Sequence, residues 1–283
     1  MSNDYEQMYL DTFRKILREG KWVYNERTGT RCLAIPRHVY EIELKPETCP
    51  LLTVRPSYPV SAIAEIIGYL RQYDNAQQFA DIGSPTWFTN ANRTQAWLDN
   101  PLRKGENDLG KVYGGALSEQ HIVEVLEGIQ NNKDNRGLIL NWWQPDTFDK
   151  GCLRPCMDRH LFTLLDGTVD LTSTQRSCDA ACGWNFNSLQ VYFLGMLAAK
   201  LSRNVGGTAL HLINNLHIYE QHIEGVEEML VRKSKDIGTI FNIESDVFHY
   251  EEVVYADNHA RDYFTLEGYK GVAQPKIDFE LIA

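Results

Sequence analysis

Residues 153–157 read Leu-Arg-Pro-Cys-Met, and residues 175–179 read Gln-Arg-Ser-Cys-Asp. Between them, residues 161–165 and 168–174 have the composition of strands and flank the dipeptide Asp-Gly. Asp-Gly favours the two-residue turn of a β-hairpin. We therefore predict a hairpin here. Because the outer ends of a hairpin meet, Cys156 and Arg176 should be neighbours in space.

The predicted neighbourhood of Cys156 and Arg176 has a chemical consequence. Cys156 follows a proline, which restricts the backbone at this corner. A guanidinium group beside a thiol stabilises the thiolate, which is the nucleophilic form of cysteine. We therefore predict that Cys156 is a nucleophile and that Arg176 lies at the same site.

The composition is that of an ordinary globular protein. The chain has 283 residues, of which 43% are hydrophobic and 23% are charged, enough to bury a sizeable core. The formal net charge of −10 argues against a broad basic surface for nucleic acid, although a local phosphate pocket is still possible. Strand-like and helical runs mix without a regular βαβ order. We expect an α+β fold in a single domain over residues 1–283.

The six cysteines are expected to be reduced thiols, since the chain is long and does not begin with a secretory leader. Cys152 and Cys156, like Cys178 and Cys182, are separated by three residues. Zinc sites usually have tighter spacing or a paired histidine, so we expect no metal site. No apolar run approaches the ~20 residues of a membrane span. We expect a cytoplasmic protein that has no membrane partner.

Helical periodicity predicts several helices along the chain. Residues 83–110 are rich in Gly, Pro, Asn and Asp and contain two tryptophans, which predicts a long surface excursion that carries binding contacts. The predicted helices cover residues 5–18, 60–73, 120–130, 188–203 and 214–228.

Three candidate site features also have ordinary explanations. Glu65 lies in a predicted helix, where surface exposure is the default; in a cleft its pKa would rise and it could move protons near neutral pH. Arg27 lies in a polar loop and reads as a solvated arginine, although such a loop can hold a phosphate. His217 and Tyr219 would share a face on a strand. A buried, hydrogen-bonded histidine is the alternative.

The residues around Arg176 resemble the signature of thymidylate synthases. In that family an Arg-Ser-x-Asp run, a glycine and a Phe-Asn pair follow a Pro-Cys nucleophile. Here these are Arg176-Ser177 with Asp179, Gly183 and Phe186-Asn187, twenty residues or more after Cys156. The resemblance covers nearly the whole chain. The further matches, in order, are Arg27-Thr28-Gly29-Thr30, Glu65, Trp87, residues 108–114 (Asp-Leu-Gly-Lys-Val-Tyr-Gly), Arg136, and His217 with Tyr219.

The resemblance implies dUMP as substrate, 5,10-methylenetetrahydrofolate as co-substrate, and a homodimer in which mixed β-sheets with surrounding helices pack face to face. Asn187 would read the base, because its amide can donate to a carbonyl and accept from a ring N–H, as uracil requires. Cytosine-specific relatives have aspartate at this position. The other implied contacts are Arg27, Arg176, Ser177 and the partner subunit's Arg136 to the phosphate, His217 and Tyr219 to the sugar, and Trp87, Leu153, Asp179 and Gly183 to folate.

The implied reaction begins with addition of the Cys156 thiolate to C6 of the base, which makes C5 nucleophilic toward the folate carbon. Glu65, working through ordered water, would move protons with help from Tyr113, and Asp179 would complete the catalytic set. Loss of the C5 proton leaves an exocyclic methylene group. Synthases reduce it with a hydride from folate, whereas hydroxymethylases add water to it.

Four departures from the synthase pattern favour hydroxymethylation. Synthases usually have histidine at Met157, a small residue at Leu216, a second arginine at Gly137, and Leu-Pro at Trp184-Asn185. The leucine is like that of phage deoxycytidylate hydroxymethylases, which suggests a bacteriophage source. We therefore predict a dUMP hydroxymethylase, with thymidylate synthase as the alternative. A non-catalytic nucleotide-binding relative is the alternative from another class, but pure binding would not require Cys156.

Overall fold

The computed structural model describes residues 4–26 and 28–282. Within them, seven strands form a central mixed sheet: β1 (Lys21–Asn25), β2 (Thr30–Glu43), β3 (Ile139–Asn141), β4 (Met157–Leu165), β5 (Thr168–Gln175), β6 (Cys178–Asp179) and β7 (Val205–Tyr219). The strand order is β1-β2-β7-β5-β4-β3, with β6 also beside β7. Strand β7 runs parallel to β5 and β6, and the other neighbours are antiparallel.

Helices surround this sheet, and a small antiparallel sheet of β8 (Ile240–Ile243) and β9 (Phe264–Glu267) lies apart from it. The predicted mixed sheet with surrounding helices is confirmed, while one domain over residues 1–283 stays a prediction. Across the described ranges, no helix combines the length and apolar character needed to cross a bilayer. The helices are α1 (Asp4–Glu19), α2 (Pro59–Leu70), α3 (Ala76–Asp81), α4 (Phe88–Arg93), α5 (Gln95–Leu98), α6 (Glu119–Gln130), α7 (Asn185–Ser202), α8 (Ile223–Val231) and α9 (Glu251–Val254).

The predicted hairpin is formed by β4 and β5. Asp166 and Gly167 connect the strands, with φ values of 49° and 73°. Two consecutive positive φ angles are the requirement of a type I′ turn, and Asp-Gly meets it. At the other end of the hairpin, Met157 pairs with Gln175, and the next N–H, that of Arg176, donates to the Cys156 carbonyl at 2.9 Å.

Helix α7 connects β5 and β6 to the parallel strand β7, because parallel neighbours need a crossover connection. It is buried on nearly every side, since it packs against the sheet, α2 and α6. This burial explains why residues 188–203 are apolar almost throughout. The crossover places the start of α7 at the carboxyl ends of β5 and β6, the edge at which open sheets with such crossovers commonly bind ligands.

Two predictions from the sequence are wrong. The helix predicted at residues 214–228 begins only at Ile223, because residues 214–219 belong to β7, where most of them pair with β2. Pairing across the sheet outweighs the local helical period here. Residues 83–110 are not a surface excursion either. Trp87 and Trp97 are buried, and the Trp97 indole N–H donates to the Asp108 carbonyl at 2.6 Å.

A tight backbone contact joins α2 to the turn formed by residues 113–116. Gly114 packs directly against the main chain of Tyr69, and a Cβ at Gly114 would overlap the Tyr69 carbonyl oxygen. Backbone atoms cannot move aside as a flexible side chain can. The close approach therefore requires glycine, and it fixes the neighbouring Tyr113 relative to α2.

We predict that Gly114→Ala lowers the free energy of unfolding by about 3 kcal/mol or more, since overpacking against rigid backbone forces the elements apart. Thermal or denaturant unfolding measures this change. Gly238→Ala is the matched control, because a Cβ there has no atom within 4 Å. Equal stability of the two variants would contradict the contact between α2 and the 113–116 turn.

Candidate active site

Cys156 lies at the corner that leads into β4, and its backbone is held on both sides. Its N–H donates to the Tyr113 hydroxyl at 3.0 Å, and its carbonyl accepts from the Arg176 N–H at 2.9 Å. The side chain is half-buried and is not in a disulfide. The thiol is therefore both accessible and fixed in position.

The Arg176 guanidinium is anchored beside this thiol. Nε donates to the Pro155 carbonyl at 2.8 Å, and Nη2 donates to the Arg154 carbonyl at 3.0 Å. Nη2 also lies 4.0 Å from Cys156 Sγ, and the group packs over the Trp143 ring, 5.3 Å from its centroid. A fixed positive charge at this distance favours the thiolate. The predicted neighbourhood of Cys156 and Arg176 is confirmed.

Glu65 is buried in the middle of α2, so its interpretation as a surface residue is wrong. Its carboxylate accepts hydrogen bonds from the Tyr69 hydroxyl (2.6 Å), the Thr86 hydroxyl (2.7 Å) and the Gln190 amide (3.0 Å). Burial raises the pKa of Glu65, and these three donors only partly offset the rise. A carboxyl group with a raised pKa is suited to accept and release protons near neutral pH.

Two stacked tyrosines connect Glu65 to Cys156. The rings of Tyr69 and Tyr113 lie 4.2 Å apart at an interplanar angle of 8°. Tyr69 contacts the carboxylate and Tyr113 contacts the cysteine backbone. Burial raises the pKa of both hydroxyls well above the ordinary value, so both stay protonated and keep these hydrogen bonds at neutral pH.

A cavity of about 410 Å³ is lined by Glu65 and by both tyrosines, whereas Cys156 is not part of the wall formed by the described residues. The predicted site residues in its wall are Glu65, Trp87, Tyr113, Gly183 and Asn187. Leu153 is half-buried against the hydrophobic core and is not part of the wall formed by the described residues.

Sequence reasoning missed part of this wall. Ile277, Phe279 and Leu281 of the C-terminal segment line the cavity, as does Arg55, whose guanidinium lies 5.2 Å from the centre of the Phe279 ring. The alternation of apolar residues at 277, 279 and 281 is the signal that could have identified these three, because a loose terminus does not need such a pattern. Arg55 carries no comparable signal.

Asp179 supports the turn that leads from β6 into α7. Its carboxylate accepts from the N–H groups of Ala181 and Cys182 at 3.0 and 3.4 Å. The buried His222 places Nδ1 3.6 Å from the same carboxylate, while its Nε2 bonds to the Glu280 carbonyl at 2.8 Å. Burial lowers the pKa of His222, but Asp179 and the Glu280 carbonyl outweigh it and raise the pKa overall.

Among the described residues, the group that comes closest to a metal-binding set consists of Asp179, Cys182 and His222. Their ligand atoms lie within 4.8 Å of one another. His222 Nδ1 lies 3.6 Å from the Asp179 carboxylate, just beyond hydrogen-bond distance, and the attraction between a protonated ring and this carboxylate is in keeping with the raised pKa of the histidine. Burial also raises the pKa of the Cys182 thiol, which opposes the thiolate form that a metal would need.

Asn187 lies in the first turn of α7 with its amide held from both ends. Its Oδ1 accepts from the Gln175 amide at 3.0 Å, and its Nδ2 donates to Gln190 Oε1 at 2.9 Å. Gly183 lies against Oδ1, and a Cβ there would approach it to 3.3 Å. The amide is therefore oriented before any ligand binds.

His217 and Tyr219 lie on the last residues of β7, with ring centroids 5.0 Å apart. Both are largely buried, and His217 pairs in register with Asp179 of β6. His217 Nδ1 bonds to the Asn215 carbonyl at 2.9 Å, so a neutral ring has Nε2 as an acceptor. The half-buried Ser177 lies next to β6 at the same edge of the sheet.

Of the two other predicted phosphate contacts, Arg136 is not brought to this cluster, and Arg27 lies outside the described residues. Arg136 is exposed, and the neighbouring Asp134 is bonded to the N–H of Leu164 at the far end of β4. Leu164 is eight residues beyond Cys156, which is roughly 26 Å at about 3.3 Å per residue of strand. Arg136 therefore lies far from Cys156 of its own subunit.

Comparison with known proteins gives the family of this site. The family model described as "Thymidylate synthase" matches residues 7–283. The chain belongs to the thymidylate synthase family. Among its relatives are thymidylate synthases of Aliivibrio fischeri, 41% identical over 87% of this chain and 90% of the relative, and of Pseudoalteromonas translucida, 44% identical over 80% and 83%. The synthase of Vibrio atlanticus is 39% identical over 93% and 96%.

Membership in the thymidylate synthase family confirms the predicted family and the prediction of a one-carbon transferase. Members of this family use 5,10-methylenetetrahydrofolate as co-substrate and require no metal, as the resemblance implied. The relatives do not support the preference for hydroxymethylation, and they fit the alternative of methylation better. They are bacterial, so the suggestion of a bacteriophage source is not supported either.

The position of Arg176 generates a prediction about thiol reactivity. We expect Arg176→Gln to slow alkylation of Cys156 by iodoacetamide at pH 7 by roughly tenfold, because the thiolate loses its neighbouring positive charge. Peptide mapping by mass spectrometry gives the rate for this cysteine alone. Arg176→Lys, which keeps the charge, should retain most of the rate.

The control for this experiment is Arg154→Gln. The Arg154 guanidinium packs over the Phe148 ring, 4.9 Å from its centroid, and its loss should leave the reactivity of Cys156 unchanged. Equal alkylation rates in Arg176→Gln and Arg154→Gln would show that Arg176 does not activate the thiol.

Proposed function

We propose that this protein is a thymidylate synthase that converts dUMP to dTMP with 5,10-methylenetetrahydrofolate. The observation that carries the proposal is the arrangement of Cys156 and Glu65. A thiol beside a guanidinium and a buried carboxyl group with raised pKa are joined by one pair of stacked tyrosines, next to a cavity. In this arrangement the nucleophile Cys156 and the proton-carrying Glu65 can act on the same bound substrate.

The proposed nucleotide site follows the edge of the sheet. Arg176 and Ser177 after β5 bind the phosphate together with Arg27, and His217 and Tyr219 at the end of β7 bind the sugar hydroxyl. Asn187 reads the base, since its oriented amide offers both a donor and an acceptor. These roles place the base between Cys156 and the cavity.

The proposed chemistry uses each of these residues for one task. Cys156 Sγ forms a bond to C6, and the electron pair of the C5–C6 double bond becomes available at C5. The folate co-substrate supplies the one-carbon unit and then a hydride. Glu65 receives and returns protons at the base, and Tyr113 holds the Cys156 backbone during this sequence. Cys156 leaves when the C5–C6 double bond re-forms.

The cavity wall supports reduction rather than hydration of the exocyclic methylene. Trp87, Phe279, Ile277 and Leu281 are apolar and line the space next to Glu65. Hydroxymethylation requires a water molecule at the methylene carbon, whereas hydride transfer requires its exclusion. Gly183 lines the same cavity, and Asp179 supports the turn before α7 that contains Gly183. We propose that both contact the folate together with Trp87.

Three of the four departures that favoured hydroxymethylation have a packing explanation. Met157, Leu216 and Trp184 are almost completely buried. The Trp184 ring stacks on Tyr9, with centroids 4.6 Å apart. Buried positions vary with their neighbours so that the core stays filled, without any change in chemistry. These three residues therefore carry little information about the product.

The identity of the product tests the proposal. Incubation with dUMP and 5,10-methylenetetrahydrofolate should yield dTMP and dihydrofolate, which mass spectrometry of the nucleotide and absorbance of the folate identify. Cys156→Ala should abolish turnover while dUMP binding persists, because only the covalent step needs the thiol. Cys152→Ala is the matched control, since this buried thiol has its pKa raised to about 12 by burial and is inert.

Two results would contradict the proposed reaction. A hydroxymethylated product with tetrahydrofolate would restore the hydroxymethylase interpretation. Turnover by Cys156→Ala would exclude the covalent mechanism.

We further propose that the protein is a homodimer whose sheets pack face to face and that Arg136 binds the phosphate in the partner's site. The distance along β4 between the Arg136 loop and Cys156 supports this, since Arg136 cannot reach the Cys156 site of its own subunit. A symmetric dimer with such an exchange contains two shared sites.

Subunit complementation tests the exchange. Arg136→Ala and Cys156→Ala should each be strongly impaired, and a mixture that is unfolded and refolded together should regain about a quarter of wild-type activity, because half of the dimers then contain one intact site. Refolding each variant separately before mixing is the control. No recovery in the co-refolded mixture would place Arg136 outside the partner's site.

A further inference from the structure

A continuous path of hydrogen bonds connects the sheet to Glu65 through side chains that are all buried except the half-buried Asn187. Its members, in order, are Tyr40, His211, Gln175, Asn187, Gln190 and Glu65, and the five bonds between them measure 2.8, 3.1, 3.0, 2.9 and 3.0 Å. Gln190 is completely buried and lies one helical turn after Asn187 on α7. It is the link between the base-reading amide and the carboxylate.

The path has one direction. Gln190 turns its NH₂ group to Glu65 and its carbonyl to Asn187, which is the arrangement that the ionised form of the carboxyl group requires because it only accepts hydrogen bonds. Asn187 must then donate to Gln190 through Nδ2 and accept from Gln175 through Oδ1. At the far end, burial lowers the pKa of His211 to about 3, so the ring is neutral and donates to Gln175 from Nε2.

This direction decides what the Asn187 amide offers to a base. One N–H and one lone pair of the amide are used along the path. The Cys178 thiol also lies 4.0 Å from Oδ1, but its nearer acceptor is the Asp179 carbonyl at 3.5 Å, so the amide keeps one donor and one acceptor. Uracil presents a carbonyl and a ring N–H, which match them. Cytosine presents the reverse order and would require the amide to turn over, which would set two N–H groups or two carbonyls against each other along the path.

We propose that Gln190 is a positioning residue that locks the Asn187 amide in the orientation that reads uracil and rejects cytosine. The inference rests on the proposed function, because it takes Asn187 as the residue that reads the base. Gln190 does not line the cavity. It acts through Asn187 and Glu65 rather than on the nucleotide.

The same residue connects base recognition with the protonation of Glu65. Gln190 donates to the charged form of the carboxyl group, which opposes the rise in its pKa caused by burial. Loss of this donor raises the pKa further. The titratable groups that face Glu65 are Tyr69 on its own helix and Tyr113 from the 113–116 turn, and burial raises the pKa of both, so they stay neutral across the acidic range.

The test uses Gln190→Met, which keeps the shape of the side chain and removes its amide. We expect the dissociation constant for dCMP divided by that for dUMP, measured by calorimetry without folate, to fall by about tenfold or more. In this variant the Asn187 amide can turn over to bind cytosine without facing a carbonyl of Gln190, so the cost of binding dCMP is smaller. We also expect the acidic limb of kcat/KM for dUMP to move to higher pH, because activity is lost as pH falls through the raised pKa of Glu65.

Leu189→Met is the matched control, since this neighbouring buried residue is outside the path and should change neither quantity. Gln175→Met cuts the path on the other side of Asn187. It should lower the dCMP-to-dUMP ratio and leave the acidic limb in place, and it tests the path even if Gln190→Met does not fold.

The outcomes separate this proposal from the proposed function. Failure of the wild type to methylate dUMP would refute the proposed function, whereas this proposal is judged by the variants against the wild type. An unchanged dCMP-to-dUMP ratio in Gln190→Met, or in Gln175→Met should Gln190→Met not fold, would overturn it. The proposal would also be overturned if the acidic limb of the kcat/KM profile of Gln190→Met coincided with that of Leu189→Met.

Discussion

The last rung of the β4–β5 ladder, from the Arg176 N–H to the Cys156 carbonyl, sets the distance on which the site depends. Strand pairing fixes the two backbones, and the guanidinium then reaches back to the carbonyls of Arg154 and Pro155. The thiol and the positive charge are thus held by main-chain geometry that extends from a two-residue turn. A register shift of one residue would turn every side chain of β5 to the opposite face and separate the pair.

The buried Glu65 imposes the second constraint, because an isolated carboxylate in the interior is unfavourable unless donors surround it. The protein supplies these donors from three elements: Tyr69 on α2, Thr86 from the segment before α4, and Gln190 on α7. The carboxylate therefore holds together the parts of the structure that form the cavity. The same carboxylate accepts from the Gln190 amide, which in turn accepts from Asn187. In the proposed function, Glu65 therefore influences both proton transfer and base recognition.

The features of the fold and site that the sequence predicts are those set by interactions between residues close together in the chain. The hairpin was predictable because Asp-Gly and two strand-like runs are local signals, and so was the all-round burial of α7. The end of β7 was not, because residues 214–219 form strand only by pairing with β2, which is far away in the chain. Burial of Glu65 and the contribution of Arg55 to the cavity likewise arise from packing between distant segments. The family signature gave the candidate residues without giving these contacts.

Two of the residues that depart from the family pattern, Met157 and Leu216, show why such departures do not by themselves identify the product. Met157 and Leu216 look like changes in the site when the sequence is read alone, since they stand next to Cys156 and His217. In the structure both side chains are almost completely buried and belong to the hydrophobic core. Their identity therefore reflects how the core is filled, although each stands next to a site residue in the sequence. In the proposed function, the cavity wall, which includes Trp87 and the C-terminal apolar residues, has the more direct influence on whether water or hydride reaches the methylene group.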